Sequence, residues 1–393
     1  MKKTVLLFIS LGFLWSCNSK RNLSSYDFII QNVKLFDGET IYENATVFID
    51  SNKVKEIIKI DKTNFEGENI IDGNGYTLTP GFINAHVHAF KEEHTKEAVQ
   101  DGVLTLLDLF STQPKRCDSL RTLGNSSKQH AYYYSAGPTV TVAGGHGSQF
   151  GPVPLVEKVE DIPSFIQDRV SEGSDYIKLI IERGGMSFQV PTLSDDMIKK
   201  AIEEAKRHNV VSVAHISRRS DALKAADFGI NGLAHMWSRD TLDITEQELK
   251  LLKESNVFII PTFLVWQKSN ESGWRKINTD LLKKDLSRLY KQGIPLLAGT
   301  DPPNEKINYG SDLFQELEVF VEIGMSEMDA LKSATSNISN AFNLKDKGYI
   351  KEGYPADMVL IQGDPTTNIK DIYNTKRIWK NGDEVNLKDK TPE

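Results

Sequence analysis

The chain is 393 residues long and holds only two cysteines, Cys17 and Cys117, so no disulfide framework organises it. Basic charge is also in short supply. There are 47 Lys and Arg against 54 Asp and Glu, a formal net charge of −7, which argues against nucleic acid or an anionic membrane surface as main partner. No apolar run is long enough to cross a bilayer as a stable helix. The longest, from Val5 to Leu14, is short and interrupted by Ser10 and Gly12. A Gly-rich nucleotide-binding turn is missing too, which counts against an open doubly wound sheet.

What is present begins at the N-terminus. Lys2 and Lys3 precede the short apolar run, the arrangement of an export signal. The run closes on Leu14-Trp15-Ser16-Cys17, which resembles the lipobox cut by the bacterial lipoprotein signal peptidase. On this reading residues 1–16 are a signal peptide and Cys17 becomes a lipidated N-terminus, with 17–25 as tether. The mature net charge would then move from −7 to −9 with the loss of Lys2 and Lys3. The expected address is outside the cytoplasm, with the membrane touched only through the lipid anchor.

Residues 26–80 and 345–386 read as short β-branched strands with Asp-Gly turns at Asp37-Gly38 and Asp72-Gly73, and are expected to form one β-sandwich domain from both ends of the chain. Between them, over 81–344, apolar strands alternate with amphipathic helices. The expected strands are Phe82–His88, Val103–Leu109, Ala131–Ala136, Tyr176–Ile181, Val210–His215, Ile230–His235, Val257–Thr262 and Ile294–Thr300. Eight such units predict an α/β fold of the (β/α)8, TIM-barrel type.

In such a barrel chemistry collects at the C-terminal ends of the strands. The first expected strand ends on His86 and His88, which share a face because alternate strand residues point the same way. The fifth ends on His215, the sixth on His235, and the eighth at Asp301. The fourth carries Lys178 inside DYIKLII, where an ammonium ion is costly to bury unless paired or chemically changed. Each alone is an ordinary strand-end residue, but together they form one geometric layer.

TPGFINAHVH, AGTDPP, GSDYIKLIIERGG, DALKAADFGINGLAH and the tail DALKSATSNISNAFNL…KGYIKEGYPADMVLIQGDP resemble the amidohydrolase superfamily in its two-metal form with a carboxylated lysine. The middle is most similar to the imidazolonepropionase-like and Xaa-Pro-dipeptidase-like branch. The resemblance implies two divalent ions, Zn²⁺ first among them: one on His86, His88 and Asp301, the other on His215 and His235. Lys178, carrying a CO2-derived carboxylate, would bridge the two. It further implies Asp301 as the proton carrier for a water activated between the ions, and His146, in the long loop GPTVTVAGGHGSQFGPVP, as a catalytic contact to the substrate carbonyl.

The tyrosine that relatives of this branch carry two residues after the fifth-strand histidine is replaced here by Ser217. Arg218 or its neighbour Arg219 is therefore expected to meet an anionic substrate group, with Arg183 lining the pocket. His94, His130 and His208 read as surface residues. The expected activity is hydrolysis of a C–N bond in a small amide or dipeptide. Two alternatives are a cyclic-amide hydrolase of the imidazolonepropionase type and an inactive barrel serving as a surface binding protein. Related barrels are often homo-oligomers.

Overall fold

The computed structural model describes residues 23–60, 64–184 and 189–388, so the expected signal peptide, Cys17 and most of the tether lie outside the described residues. Both ends of the chain build one sheet. β1 (Phe28–Phe36), β2 (Ile41–Asp50), β3 (Lys53–Ile58), β4 (Ile70–Asp72) and β5 (Tyr76–Pro80) come from the start of it. The C-terminal strands, numbered after the seven of the middle, are β13 (Met358–Gln362), β14 (Thr375–Lys380) and β15 (Asp383–Glu384). Their order is β15-β14-β13-β5-β1-β2-β3, with β4 beside β1. The junction is the antiparallel pair β5–β13, with Leu78 opposite Leu360. Pairing runs through all eight strands without a break.

Gly81 alone separates this sheet from the middle of the chain. A Cβ there would lie 2.5 Å from Leu104 Cδ1, so no larger residue lets the chain pass. The middle holds β6 (Phe82–Val87), β7 (Val103–Asp108), β8 (Tyr132–Ser135), β9 (Tyr176–Ile181), β10 (Val211–Ile216), β11 (Gly232–Ala234) and β12 (Phe258–Ile260). They pair in parallel as β6-β7-β8 and β9-β10-β11-β12. Parallel strands covered on both faces read as continuous apolar runs, and β6, β7 and β9 are buried throughout.

Helices fill the crossovers. Ser194 caps the helix Asp195–Arg207, its hydroxyl accepting from Met197 N–H at 3.2 Å. That helix buries Met197, Ile198, Ala201, Ile202 and Ala205 at helical spacing. Asn278 caps Thr279–Lys291 in the same way, and Gly293 follows it at φ 72°.

Backbone hydrogen bonds continue beyond the two sheets. Asp175 N–H donates to Ser135 O (2.9 Å), and Val140 bridges Leu179 in parallel. Leu297 N–H donates to Ile259 O and Ala85 N–H to Ala298 O, each at 2.9 Å. The segment around Leu296 therefore lies between β12 and β6, although it is not a regular strand. The expected sixth and seventh strands stop early, at Ala234 and Ile260, because His235 (φ 74°) and Thr262 (φ 48°) adopt left-handed backbone, which an extended strand cannot contain; Asp301, just past the eighth segment, does the same (φ 61°). The chain turns at the residues that carry chemistry.

Candidate metal centre

β6 holds His86 within the strand and releases His88 just past its end, so both imidazoles emerge on one side. Asp301 is brought to them by two devices. Its N–H donates to His86 O at 2.8 Å, and Gly299 lets the segment lie flat, since a Cβ there would meet Ile260 Cγ2 at 2.6 Å and His86 N at 2.9 Å. Asp301 Oδ1 then stands 3.3 Å from His86 Nε2 and 3.0 Å from His88 Nε2. One ligand atom from each of the three lies within 4.8 Å of the others. Two imidazoles and a carboxylate at this spacing are a donor set for a divalent ion such as Zn²⁺.

The other histidines continue as a belt. The His86 and His235 rings are 4.7 Å apart, His235 and His215 4.6 Å, and His215 and His146 4.8 Å. Burial drives His86 and His235 well below the usual imidazole pKa and lowers His215 as well, so all three favour the neutral form that ligates. His88 moves the other way: burial lowers it, but the Asp301 carboxylate beside it raises it further. Thr262 Oγ1 lies 2.8 Å from His235 Nδ1 and so engages that ring nitrogen, leaving Nε2 for the site.

Lys178 rises from β9 into the same space. Its Nζ is buried with no hydrogen-bond partner among the described residues, and burial lowers its pKa to about 7. A buried amine with no acceptor, surrounded by imidazoles, is costly as an ammonium ion. A carboxylated lysine bridging two cations would remove that cost, so the residues present fit a two-metal centre. His86 Nδ1, His88 Nδ1 and Asp301 Oδ1 are likewise buried and lack hydrogen-bond partners.

These six residues and His146 line one cavity of about 460 Å³. Gly147 N–H donates to Gln149 Oε1 at 2.7 Å, which orients the amide so that its Nε2 donates to His146 Nδ1 at 3.3 Å. The imidazole proton of His146 is thereby left on Nε2. Burial holds this histidine neutral, lowering its pKa to about 3.

Arg183 and Arg218, expected to meet the substrate, are not among the residues lining the cavity. Arg183 Nε donates to Asp221 at 2.8 Å, and Arg218 Nη2 donates to Gly184 O at 2.9 Å, so each guanidinium is engaged elsewhere. Arg219 is paired with Glu248 at 3.0 Å. The Ser217 hydroxyl accepts from Arg239 Nε at 3.2 Å instead of reaching a substrate. His130, expected at the surface, is buried against Thr95 Oγ1 at 2.8 Å.

Sequence reasoning missed three supports. Glu182, the residue after β9, lies 3.6 Å from His215 Nε2 and 3.3 Å from Arg239. Burial raises its pKa, but hydrogen bonds from His215 and Ser217 and the Arg239 charge outweigh this and hold it at about 2. Asp108, closing β7, has its pKa raised to about 6 by burial; it accepts from Tyr133 Oη at 2.6 Å and sits 3.9 Å from His88. Glu316 is fully buried and accepts from the N–H groups of Phe263 and Leu264 at 2.8 Å each, fixing the chain beside Thr262. The acidic residues after the runs VLTLLD and YIKLII were the available signal for the first two; Glu316, on a distant helix, gave none.

The sequence profile of the amidohydrolase family matches residues 77–385. Ochratoxinase of Aspergillus niger is 25% identical over 329 residues, covering 73% of this chain and 66% of its own length. The chain thus spans just under two thirds of that relative. A 5′-deoxyadenosine deaminase of Methanocaldococcus jannaschii is 22% identical over 367 residues, 81% of this chain and 82% of that one. Among solved structures, a Xaa-Pro dipeptidase with methionine bound in its active site superposes with a TM-score of 0.79 at 21% identity, covering 91% of this chain and 99% of that one. That likeness concerns the fold.

Proposed function

The chain belongs to the amidohydrolase family, and on that premise we propose that it hydrolyses a C–N bond in a small amide or dipeptide, in the manner of a metal-dependent dipeptidase. One observation carries the reading: His86, His88 and Asp301 converge on one point, with the partnerless amine of Lys178 and the His215–His235 pair in the wall of the same cavity. A barrel closed through the bonds of the Leu296 segment is the fold reading that goes with it, and it puts all six side chains at one end. The unbroken set of six counts against an inactive binding protein.

Bound divalent ions would supply Lewis acidity, polarising the scissile carbonyl and lowering the pKa of a water from about 15.7 towards about 7. Asp301 would accept the proton of that water and return it to the departing nitrogen, serving first as base and then as acid. His146, neutral and with its proton on Nε2, is available to donate to the oxygen that gains charge as the carbonyl is attacked. Glu182 and Thr262 hold the His215 and His235 rings in ligating orientation. Export as a lipoprotein anchored at Cys17 belongs to the same proposal and rests on the N-terminal residues alone.

A library of dipeptides and N-acyl amino acids, assayed for amine release, tests the reaction class. Turnover of at least one open-chain member is expected. Activity confined to cyclic amides would move the assignment to the imidazolonepropionase type, and release of ammonia from purines alone would make it a deaminase.

A further inference from the structure

Beside the metal centre the cavity holds a cation that the proposed chemistry does not use. Arg275 lies in the loop between helices Phe263–Glu271 and Thr279–Lys291, anchored where its N–H donates to Ser269 O at 3.2 Å. Its guanidinium carbon sits 4.3 Å from the ring centre of Trp274 and 5.7 Å from that of Trp266. Contact with aromatic faces holds a guanidinium in place yet leaves its in-plane N–H donors free. Among the described residues no carboxylate comes within 4.0 Å of those donors. The nearby acid that also lines the cavity, Glu305, is engaged by the hydroxyls of Ser269 (2.6 Å) and Ser272 (3.4 Å).

The contrast with the neighbouring arginines is direct. Arg183, Arg219 and Arg239 each have a carboxylate partner, and Arg218 has a backbone carbonyl. Arg275 faces the cavity without one. It is also connected to the reacting end, since the Trp266 ring lies 5.7 Å from that of His235. The Trp266 indole N–H is buried without an acceptor among the described residues. Phe110, Phe150 and Trp274 line the same cavity: the Phe110 and Phe150 rings stand 5.9 Å apart, and Phe150 and Trp274 are 61% and 67% exposed. A guanidinium held between indole rings and an aromatic rim together suit an amphipathic anion.

We infer that Arg275 binds the carboxylate of the substrate, with the aromatic rim taking up an apolar group beside it. This rests on the amide-hydrolase reading for the word substrate, but its test is made on binding. N-benzoyl-L-phenylalanine and its carboxamide have nearly the same shape and differ in charge and in one acceptor oxygen exchanged for an NH2 donor. Each is titrated into the protein as purified, and tryptophan fluorescence, to which Trp266 and Trp274 contribute, is followed at times short against turnover.

The acid is expected to bind roughly ten- to a hundredfold more tightly than the amide, the range for one charge-assisted contact. Arg275→Met should bring the ratio close to one by weakening the acid far more than the amide, and Arg275→Lys should retain part of the preference. No preference in the native protein, or a preference that survives Arg275→Met, overturns the inference. So does a preference lost only in Arg116→Met, Arg116 being the other arginine of the cavity lining. A preference lost with Arg275, in a protein that cleaves no amide, upholds this assignment and counts against the hydrolase reading instead.

Discussion

Lys178→Ala is expected to lower activity by roughly a thousandfold or more, the scale on which removing an electrostatic element of a catalytic site acts. The argument starts from position. Lys178 of β9 is paired with Val213 of β10 on one side, its carbonyl accepts from Val140 N–H at 2.8 Å on the other, and its side chain is buried, so the amine cannot reach bulk water. An unpaired ammonium there would stand among imidazoles that are themselves driven neutral by burial. Carboxylation would replace that costly ammonium with an anion able to bind two cations. Deleting the side chain would then remove the anion and leave a space beside the histidines.

A short carboxylic acid supplied in the buffer can enter that space, so partial rescue by formate or acetate is expected. Lys178→Met fills the same volume and should be equally inactive but not rescued. It also separates loss of the anion from loss of packing, which for a buried truncation costs about 2–5 kcal/mol. Activity of Lys178→Ala within a few fold of the native value would remove the carboxylate bridge from the account.

Asp301→Asn is expected to lower kcat by roughly a hundred- to ten-thousandfold, the worth of a positioned acid–base group, with little change in KM. Asparagine tolerates the left-handed backbone at φ 61°, and the hydrogen bond from the residue 301 N–H to His86 O does not involve the side chain. The substituted residue should therefore keep its place and still offer an oxygen, so much of the metal should stay bound. What is lost is the ability to take and return a proton. The check is steady-state kinetics together with metal content. A kcat within about threefold of native, in protein that keeps its metal, would mean that another group carries the proton.

How far the site was legible depends on where each residue sits along its strand. His86, His88, Lys178 and His215 lie on or immediately after regular parallel strands, where apolar runs mark the element and alternation marks the face. His235 and Asp301 were found at strand ends whose length was overestimated. Apolar sequence extends the pattern to the residue, whereas the backbone has already turned left-handed there. The eighth segment was visible as LLAGTD and yet is no regular strand. Its partners on both sides accept it by a few bonds, which hydrophobicity alone does not reveal.

The arginines were misplaced for a different reason. Arg183 and Arg218 are close in sequence to ligands, but whether a guanidinium faces a cavity depends on which carboxylate competes for it. Asp221, 38 positions from Arg183, is invisible to local reading. Arg275 carries no local motif at all. Its setting is made by its neighbour Trp274 and by Trp266, on the helix that follows β12, and the second of these is brought to it by the fold.

Metal content of protein purified without chelators, determined by plasma emission spectroscopy, tests the central claim most directly. Two divalent ions per chain are expected, falling in proportion to activity on dialysis against a chelator. A chain that is active with no bound metal would contradict the account.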